Sequence, residues 1–398
     1  MSPDWRSVAL GDVASIGAGN AAPQVGTLYV DDGAPFFRTS DVGRVRFGVI
    51  HDSRDHLSDA GAVGLRRLPK GTILFPKSGA STFLNHRVTL GVDGYVSSHL
   101  ATIVADDSLA DSRFLLYFLA TVSAQDLIQG QSYPSLNLPM IAGIRVPLPC
   151  LAEQQRIVAI LDEAFEGVAI AKVNAEKNLE NVRALCVNHV ESIFNEGASG
   201  WAHRPLGDVC EFVRGPFGGS LKKATFVPDG YAVYEQQHAI YDRFDQVRYF
   251  VDEDKFVEMK RFELHPGDLI MSCSGTMGRV AIVPVSVRRG IINQALLKLT
   301  PKAQIRGAFL KEWMESAAFQ SALQEYSGGA AIQNVASVKV LKEIRTPIPA
   351  VDEQDLLVKE IGVFRRESDQ LVSVYQHKLD ALDALKKSLL NEAFAGNQ

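Results

Sequence analysis

The strongest constraint on this chain is that its second half repeats the motifs of its first half in the same order. The opening W-x4-LGDV at residues 5–13 recurs at 201–209, GTILFPKSG at 71–79 recurs as GDLIMSCSG at 267–275, and PLPxxxEQ at 147–154 recurs as PIPxxxEQ at 347–354. A chain built from two equivalent halves is suited to a target that also has two halves.

The repeat divides the chain into four consecutive segments. Its length of 398 residues exceeds a typical single core and predicts two or more domains. Each half begins with short β-rich runs broken by Gly and Pro turns, continues with a helical stretch and a PxP motif, and ends in a long helical run. We predict an α+β fold with two similar mixed domains at 1–150 and 198–350 and two long helices at 151–197 and 351–398.

Each long helical run carries apolar residues three and four positions apart, which predicts a helix with one apolar face. A run of about 40 residues forms a helix of roughly 60 Å, and an apolar stripe of that length needs a partner. The predicted seam residues are Ile157, Leu161, Val168 and Leu179 in the first helix, and Leu357, Ile361, Leu371 and Leu382 in the second.

The chain connectivity favours antiparallel pairing of the two helices as a coiled coil. The first helix leads from the first domain to the second, so the seams face each other only if the second helix runs back. This arrangement predicts a pseudo-two-fold axis between the halves. The alternative is that each helix folds onto its own domain, although small residues at Ala164, Ala171 and Ala175 favour close helix–helix approach.

Composition and charge narrow the class of protein. The net charge is −5, distributed as −1 over residues 1–150, −4 over 151–200, +3 over 201–350 and −3 over 351–398. A polyanion is therefore tolerated by the two domains and repelled by the helices. The apolar stretch from Phe114 to Ile128 is interrupted by Asp126 and too short to span a membrane.

The chain's polar start and its cysteine pattern point to the cytoplasm. The N-terminus lacks a signal-peptide core. The four cysteines lack metal or redox spacing and are expected to be buried thiols; they are Cys150, Cys186, Cys210 and Cys273.

Taken together, these features resemble the specificity subunits of type I restriction–modification systems. The resemblance covers essentially the whole chain. It rests on PLPCLAEQQRIV (147–158) and PIPAVDEQDLLV (347–358), on the repeated opening and Gly-rich segments, and on GNAAPQ (19–24), FFRTSDVG (36–43) and RGPFGGSLKK (214–223). It implies that the two domains are target recognition domains, which read the halves of a split, asymmetric DNA site.

The resemblance also implies partners and a non-catalytic role. Subunits of this family hold two adenine methyltransferase subunits, which two motor-nuclease subunits join. S-adenosylmethionine, ATP and Mg would then belong to the partner chains, and no cofactor, metal or membrane to this one. The acidic helices are the expected docking surface.

The residues themselves favour a protein without catalysis. The sequence lacks NPPY-type methyltransferase and GxGxxG motifs, and no Walker A pattern can be drawn through RGPFGGSLKK. The segment from Pro228 to Gln237 resembles a PD…E nuclease motif but ends in Gln where a nuclease needs Lys. No His/Cys or His/Asp cluster has the spacing of a metal site.

Comparing the two halves indicates where bases would be read. Residues 33–41 align with 230–238, so the apolar pair Phe36 and Phe37 matches Val233 and Tyr234, while the polar group that follows changes completely. Arg pairs with guanine and Gln with adenine in the major groove. The candidate base readers are therefore Arg38, Thr39 and Ser40 in one half, and Gln236, Gln237 and His238 in the other. Alternatively, these are ordinary exposed loop residues.

The Gly-rich turns are a second candidate, for contact with the DNA backbone. Glycine permits close approach, and lysine or hydroxyl groups suit phosphate. The alternative is a tight hairpin that needs positive φ. The candidates there and nearby are Lys77, Ser78, Arg87, Lys222, Lys223, Ser272, Ser274, Thr276 and Arg279, and further possible phosphate contacts are Arg66, Arg67, Arg288 and Arg289.

Different readers in two related halves predict a bipartite, non-palindromic site whose unread spacer depends on helix length. Adding or deleting one helical turn should change the spacer by about a base pair or abolish binding. Three alternatives stay open: a subunit of a methylation-only or type II-like system, a coiled-coil scaffold that binds no DNA, and a hydrolase with an unrecognised site.

Overall fold

The computed structural model describes residues 5–127, 135–197, 200–217, 219–274, 276–325 and 338–395. The chain divides into two units: unit 1 comprises residues 1–176 with 376–398, and unit 2 comprises residues 177–375. Each unit contains both β-sheets and helices, which confirms the predicted α+β class with two similar domains and long helices.

Unit 1 is a mixed domain with the ends of two long helices. Its strands are β1 Arg6–Ala9, β2 Ala14–Ala18, β3 Tyr29–Val30, β4 Ala34–Phe37, β5 Phe47–Ile50, β6 Asp55–Leu57, β7 Ile73–Pro76, β8 Arg87–Leu90, β9 Tyr95–Val96, β10 Leu100–Ala105 and β11 Arg145–Leu148. Its shorter helices are α1 Thr39–Val45, α2 Asp59–Ala62, α3 Ser112–Thr121, α4 Ala124–Leu127 and α5 Leu138–Ala142, and α6 Leu151–Gly197 begins here.

The strands of unit 1 form two main sheets. One has the order β2-β10-β7-β8-β5 and the other β3-β6-β4-β9, while β1 pairs with β11 near the PxP motif. The apolar run of β7 is buried along its whole length, as its composition predicts for a central strand. Ile73 and Phe75 of this strand join Phe114 of α3 in the main core of the unit.

Unit 2 repeats this architecture. Its strands are β12 Ala202–Pro205, β13 Cys210–Arg214, β14 Tyr231–Tyr234, β15 Tyr249–Val251, β16 Leu269–Ser272, β17 Val280–Ile282, β18 Gly290–Ile292, β19 Leu296–Pro301 and β20 Arg345–Ile348. Its shorter helices are α7 Leu206–Val209, α8 Gln236–Tyr241, α9 Glu253–Glu258, α10 Gly307–Glu315, α11 Ala317–Glu325 and α12 Val338–Glu343, and α13 Val351–Ala395 begins here.

Strand order in unit 2 matches that of unit 1 except for β5 and β3, which have no counterpart among the described strands of unit 2. The sheets run β13-β19-β16-β17 and β15-β14-β18, and β12 pairs with β20. The pair Ile103–Ile73 in unit 1 corresponds to Leu299–Leu269 in unit 2. Both residues of the pair differ in number by 196, so the register of the two strands is the same in both units. The sequence repeat is therefore a structural repeat.

The duplicated tryptophan has the same partner in both units. Trp5 meets Phe114 edge-on at 6.3 Å between ring centroids, and Trp201 meets Phe309 edge-on at 6.1 Å. Each ring therefore ties the start of its domain to the helix that covers the main sheet.

The duplicated EQ motif is explained by a buried glutamine at the start of each long helix. The amide oxygen of Gln154 accepts from the backbone N–H of Asp111 (2.8 Å), and its NH₂ group donates to Leu109 O and Pro149 O. Gln354 makes the equivalent bonds to Arg306 N (2.7 Å), Gln304 O and Pro349 O. A fully satisfied buried amide fixes the angle at which each helix leaves its domain.

The inward positions of the two long helices include two series with seven-residue spacing. In α6 the buried or half-buried positions include 154, 161, 168, 175, 182 and 189 together with 158, 165, 172, 179, 186 and 193, and in α13 they include the same positions plus 200. A seven-residue repeat of this kind is the pattern of a coiled coil.

Most predicted seam residues are buried or half-buried, but Leu371 is not. Its side chain is 48% exposed, because the seven-residue spacing places Ser368, Val372 and Tyr375 inward instead. The prediction for Leu371 was wrong: a count by threes and fours drifts by one position over this length.

Within unit 1 the start of α6 pairs with the end of α13. Lys172 lies 2.7 Å from Asp383, and the ammonium of Lys386 lies 5.0 Å from the ring centre of Phe165. The later residue of α6, Lys172, contacts the earlier residue of α13, Asp383, and the earlier Phe165 contacts the later Lys386. The two segments are therefore antiparallel, as predicted. Phe394 also packs on Phe114 of α3. The alternative in which α13 folds only onto the domain preceding it is therefore wrong.

Unit 2 contains the matching helix contacts. The ring of His189 packs on that of Phe364, with 4.2 Å between centroids and an interplanar angle of 31°, and Phe194 near the end of α6 packs on Phe309 and Trp313 of α10. Phe194 and Phe394 occupy equivalent positions on their helices, so each domain core receives one aromatic ring from the end of a long helix. No helix in the described ranges is long and apolar enough to cross a membrane.

Candidate nucleic-acid interface

Three separate segments meet at one edge of unit 1, which we call the loop edge of unit 1: residues 19–24, 38–41 and 77–80. Each segment begins at a residue that is hydrogen-bonded, or follows one that is hydrogen-bonded, to the backbone of residues 97–100. Gly19 N donates to Leu100 O (3.1 Å), Ser97 N donates to Phe37 O (2.9 Å), and Lys77 N donates to His99 O (3.1 Å). The polar group after β4, the Gly-rich turn and the GNAAPQ motif, which lie far apart in sequence, are thereby brought together.

The loop edge of unit 2 comprises residues 215–223, 235–238 and 273–276, of which Gly218 and Gly275 lie outside the described residues. The same three bonds recur: Gly215 N donates to Leu296 O (2.9 Å), Asn293 N to Tyr234 O (2.9 Å), and Cys273 N to Ala295 O (2.9 Å). Each bond joins positions equivalent to those in unit 1. The frame is repeated, whereas the side chains mounted on it differ.

A glycine is required where the first segment leaves the sheet. A Cβ atom at Gly19 would lie 2.2 Å from Ser97 O, and one at Gly215 would lie 1.9 Å from Asn293 O. Both distances are below any real carbon contact, so only glycine permits the segment to start there.

Arg38 is held in place on the loop edge of unit 1. Its Nε donates to Asp55 (2.5 Å), its Nη2 donates to the hydroxyl of Tyr29 (3.1 Å), and the guanidinium lies 5.2 Å from the ring centre of Phe36. The side chain is 38% exposed, and no partner among the described residues is found for Nη1. A positioned arginine with free N–H groups is suited to paired acceptors on a guanine. Thr39 and Ser40 follow in the first turn of α1.

The matching position in unit 2 carries two glutamines in the first turn of α8. The amide oxygen of Gln236 is buried and has no hydrogen-bond partner among the described residues. Gln237 lines an open cleft of about 410 Å³ together with Tyr241, Arg243 and Gln246.

Sequence comparison missed three residues of this cleft: Tyr241, Arg243 and Gln246. They lie there because Asp242 ends α8 in the left-handed conformation (φ 50°) and turns the chain back. Lys311 holds this turn by donating to the carboxylate of Asp242 (2.7 Å). An Asp after the helical stretch was the available signal for the turn.

His238 is not a base reader, and that prediction was wrong. The residue is 1% exposed. Its Nδ1 accepts from Glu235 N (2.9 Å), and its Nε2 donates to Gln246 O (3.0 Å). Asp41 has the same role in unit 1, where its carboxylate accepts from Arg38 N (2.8 Å). Both side chains close the N-terminus of a short helix.

Arg87 is not a phosphate contact, and that prediction was also wrong. The residue is fully buried, with its guanidinium 3.5 Å from the ring centre of Phe75. Its Nη1 donates to His86 O (2.8 Å), while Nε and Nη2 have no partner among the described residues. Burial without a carboxylate lowers the pKa of Arg87 to about 9.

Ser272 shapes a turn and does not face a ligand, so its assignment as a DNA backbone contact was wrong as well. It is fully buried, its Oγ donates to Thr276 O (2.6 Å), and it accepts from Arg279 N (3.1 Å). In unit 1, Gly79 has φ of 76°, which supports the hairpin interpretation of that turn.

The remaining backbone-contact candidates stay predictions. Lys222, Lys223, Thr276 and Arg279 are exposed, and Lys77, Ser78 and Ser274 are half-buried. Ser78 is bonded to the imidazole of His99 (2.8 Å). The four additional arginines are all exposed. Three of them have partners: Arg66 donates to Thr102, Arg288 pairs with Asp229 and Arg289 pairs with Glu263.

Two of the cysteines are buried thiols, and the described residues form no metal-binding cluster. These residues contain no group of three or more His, Cys, Asp or Glu side chains that could hold a metal ion. Burial raises the pKa of the Cys273 thiol to about 11 and that of Cys210 to about 12, so both are protonated at neutral pH and poor nucleophiles. Cys150, expected to be buried, is exposed.

Comparisons with known proteins agree with one another. The family described as type I restriction modification DNA specificity domain matches residues 3–181 and 198–391. The type I restriction enzyme EcoBI specificity subunit of Escherichia coli is 20% identical and aligns with 98% of this chain and 86% of its own length.

Two solved structures share the fold along the whole chain. One comes from work titled "Structural basis underlying complex assembly and conformational transition of the type I R-M system"; it has a TM-score of 0.76 at 19% identity and covers 100% of this chain and 99% of its own. The other is the HsdS subunit from Thermoanaerobacter tengcongensis, with a TM-score of 0.66 at 19% identity and coverage of 100% and 98%.

Proposed function

The chain belongs to the type I restriction modification DNA specificity family, and from this premise we propose that it is the subunit that selects the DNA sequence for a restriction–modification enzyme. Each loop edge reads one half of a bipartite duplex site. Because the two edges present different side chains, the two half-sites differ in sequence.

The observation that carries this proposal is the repeated frame with unlike side chains. Three backbone hydrogen bonds recur at equivalent positions, whereas Arg38, Thr39 and Ser40 are replaced by Glu235, Gln236 and Gln237. Repeated backbone geometry gives both units the same way of meeting a duplex. Unlike donors and acceptors then give them different base preferences.

The proposal assigns no catalytic step to this chain. The methyl donor S-adenosylmethionine, ATP and Mg would be bound by partner subunits. Two methyltransferase subunits are the expected partners, with restriction subunits joining them, and the cytoplasm is the expected compartment. The acidic long helices are proposed as the docking surface, since they carry exposed apolar side chains, among them Ile170, Val173 and Leu356.

One experiment tests the assignment of readers by half-site. Cells would express the chain with its methyltransferase subunits, and single-molecule sequencing would map methylated adenines. Arg38→Ala should relax the sequence preference in one half-site only, and Gln236→Ala in the other half-site only. A loss of about 1–3 kcal/mol of discrimination is expected for each removed base contact.

Lys223→Ala is the matched control, because Lys223 is exposed and is a candidate for contact with phosphate. It should lower affinity for all sequences alike and reduce the salt dependence by about one charge without changing the methylated sequence. Unchanged specificity in both Arg38→Ala and Gln236→Ala would show that the readers lie elsewhere on the loop edges.

A scaffold that binds no DNA is the alternative from another class. The purified complex decides between them: a specificity subunit gives a footprint on the methylated sequence and loses duplex affinity steeply with salt, whereas a scaffold gives neither. A methylation-only or type II-like system would differ in the partner subunits and not in this chain.

A further inference from the structure

Phe217 is the most exposed large hydrophobic side chain in the described part of the protein, at 93%. The residues that flank it are held in the domain. Pro216 just before it is buried, Leu221 shortly after it is 8% exposed, and Ser220 N donates to Phe217 O (2.9 Å). Both sides of the turn are thus anchored in the domain while the ring points into solvent.

This turn rises from the loop edge of unit 2. Gly215, at its base, bonds to Leu296 and lies against Asn293. Asn293 in turn donates to Tyr234 O, and the next residues in the chain are Glu235 and Gln236 of the proposed reading helix. The exposed ring therefore leaves the same edge as the polar candidates.

The charge of the segment indicates the kind of partner. Residues 214–223 contain three cations, Arg214, Lys222 and Lys223, and no acid. Lys222 and Lys223 are exposed. An apolar ring accompanied by lysine and arginine fits a partner with stacked apolar planes and a dense negative backbone. Duplex DNA has both, and proteins that enter the minor groove use phenylalanine in this way.

Unit 1 supplies the internal comparison. Gly19 is equivalent to Gly215 by the same backbone bond and the same close approach, which aligns Phe217 with Ala21. Unit 1 therefore has the same backbone geometry at this glycine, although it has no aromatic ring two residues later. The ring is not needed to build the loop edge, and a role in folding does not account for it.

We propose that Phe217 is a wedge that inserts between two neighbouring base pairs of the second half-site and unstacks them. An aromatic side chain of this kind buries about 150–250 Å² when enclosed. The cations beside it hold the phosphates as the step opens. The proposal rests on the proposed function, and it adds that the two half-sites are read by different means, with deformation of the DNA contributing in one of them.

The test uses the chain assembled with its methyltransferase subunits and duplexes that carry the sequence identified by methylation mapping. The adenine analogue 2-aminopurine, whose fluorescence rises on unstacking, replaces single bases at successive steps of either half-site. The methylated adenine is excluded, because methyltransferases expose their target by flipping it. The variants are Phe217→Ala, Phe217→Tyr and, as a control, Val285→Ala, which alters another side chain of unit 2 that is 90% exposed.

We expect a fluorescence rise at one step of the second half-site with the original protein, its loss in Phe217→Ala, and its return in Phe217→Tyr. Affinity for the duplex should fall about tenfold in Phe217→Ala, the lower part of the range for a lost stacking contact. Val285→Ala and all positions in the first half-site should show no change.

Two results would overturn the wedge while leaving the proposed function intact. The first is an unchanged signal and affinity in Phe217→Ala. The second is failure of Phe217→Ala to assemble with the methyltransferase subunits in the absence of DNA, which would assign the ring to a protein interface. If the original complex selects no duplex sequence at all, the proposed function fails and the wedge with it.

Discussion

Single residues in this protein are best understood by comparing each with the residue at the equivalent position in the other unit. Arg87 lies in β8 at the register position that Val280 holds in β17. Where one unit buries a valine, the other buries a guanidinium against an aromatic ring. A cation–π contact returns part of the desolvation cost, but two of its nitrogen atoms stay without partners among the described residues.

The first prediction at this scale is that Arg87→Met stabilises the protein. Removing an unpaired buried charge should raise the free energy of unfolding by about 1–3 kcal/mol at pH 7. Because the folded-state pKa of about 9 lies below the unfolded one, the cost of burying the charge is fully present below pH 9. It shrinks as pH rises from there toward 12.5.

Chemical denaturation of both proteins at pH 7 and pH 10 measures this effect. The stability gain from Arg87→Met should be smaller at pH 10, and DNA affinity should match that of the original protein. Arg67→Met, at an exposed site, should leave the free energy of unfolding nearly unchanged. A destabilised Arg87→Met variant would mean that the guanidinium finds better partners than those described.

The sequence alone could not distinguish these buried polar residues from exposed ones. Arg87, His238 and Ser272 are the types of side chain that usually contact DNA or solvent, and their burial depends on partners distant in sequence. Phe36 and Tyr234 were placed correctly, because an apolar pair at matching positions indicates a strand in the core. Apolar pattern is a local property, whereas satisfaction of a polar group depends on the tertiary structure.

At the scale of elements, the long helices were predicted correctly in type, while their inward face was predicted only in part. The seven-residue spacing of α13 places Ile361 fully inside and leaves Leu371 48% exposed. Apolar identity at Leu371 was therefore misleading. The position within the seven-residue repeat was the better guide, since it also predicts that Ser368 is buried.

The second prediction follows from this contrast. Ile361→Ala should lower the free energy of unfolding by about 2–5 kcal/mol, because it leaves a cavity in a packed core. Leu371→Ala should change it by less than about 0.5 kcal/mol, as expected for a surface site. Urea denaturation of the two variants under identical conditions provides the measurement. A similar loss of unfolding free energy in both would contradict the assignment of Ile361 to the inward face of α13 and of Leu371 to its surface.

The loop edges show how far sequence could reach at the level of elements. The duplicated motifs located the Gly-rich turn and the polar group after β4 correctly as neighbours of strands. Their meeting at one edge could not be predicted, because it depends on backbone bonds from a fourth segment, residues 97–100 in unit 1 and 293–296 in unit 2. Main-chain bonds between distant segments leave no sequence signature.

For the whole molecule, the repeat predicts that one domain can stand in for the other. Both domains present the same aromatic positions to the end of a long helix: Phe394 contacts Phe114 and Phe118, and Phe194 contacts Phe309 and Trp313. The buried glutamines also make equivalent bonds in both units. The surroundings of each domain are thus matched.

The third prediction is that a chain in which residues 201–350 are replaced by a copy of residues 5–150 folds and assembles. Sequencing of methylated DNA should then reveal a site whose two halves both have the sequence of the original first half. The original chain expressed in parallel is the control. Persistence of the original asymmetric site, or absence of methylation from an assembled complex, would refute domain equivalence.

The bonds that join the loop edges are made by main-chain atoms alone. Every amino acid offers a carbonyl and every one except proline offers an N–H, so these bonds place almost no condition on the side chains at residues 38–40 and 235–237. Residues 38–40 and 235–237 could accordingly be randomised together without unfolding either domain. This scaffold is therefore a suitable starting point for directed evolution of new DNA specificity. Substitutions at a few positions would change the two half-site sequences that are recognised.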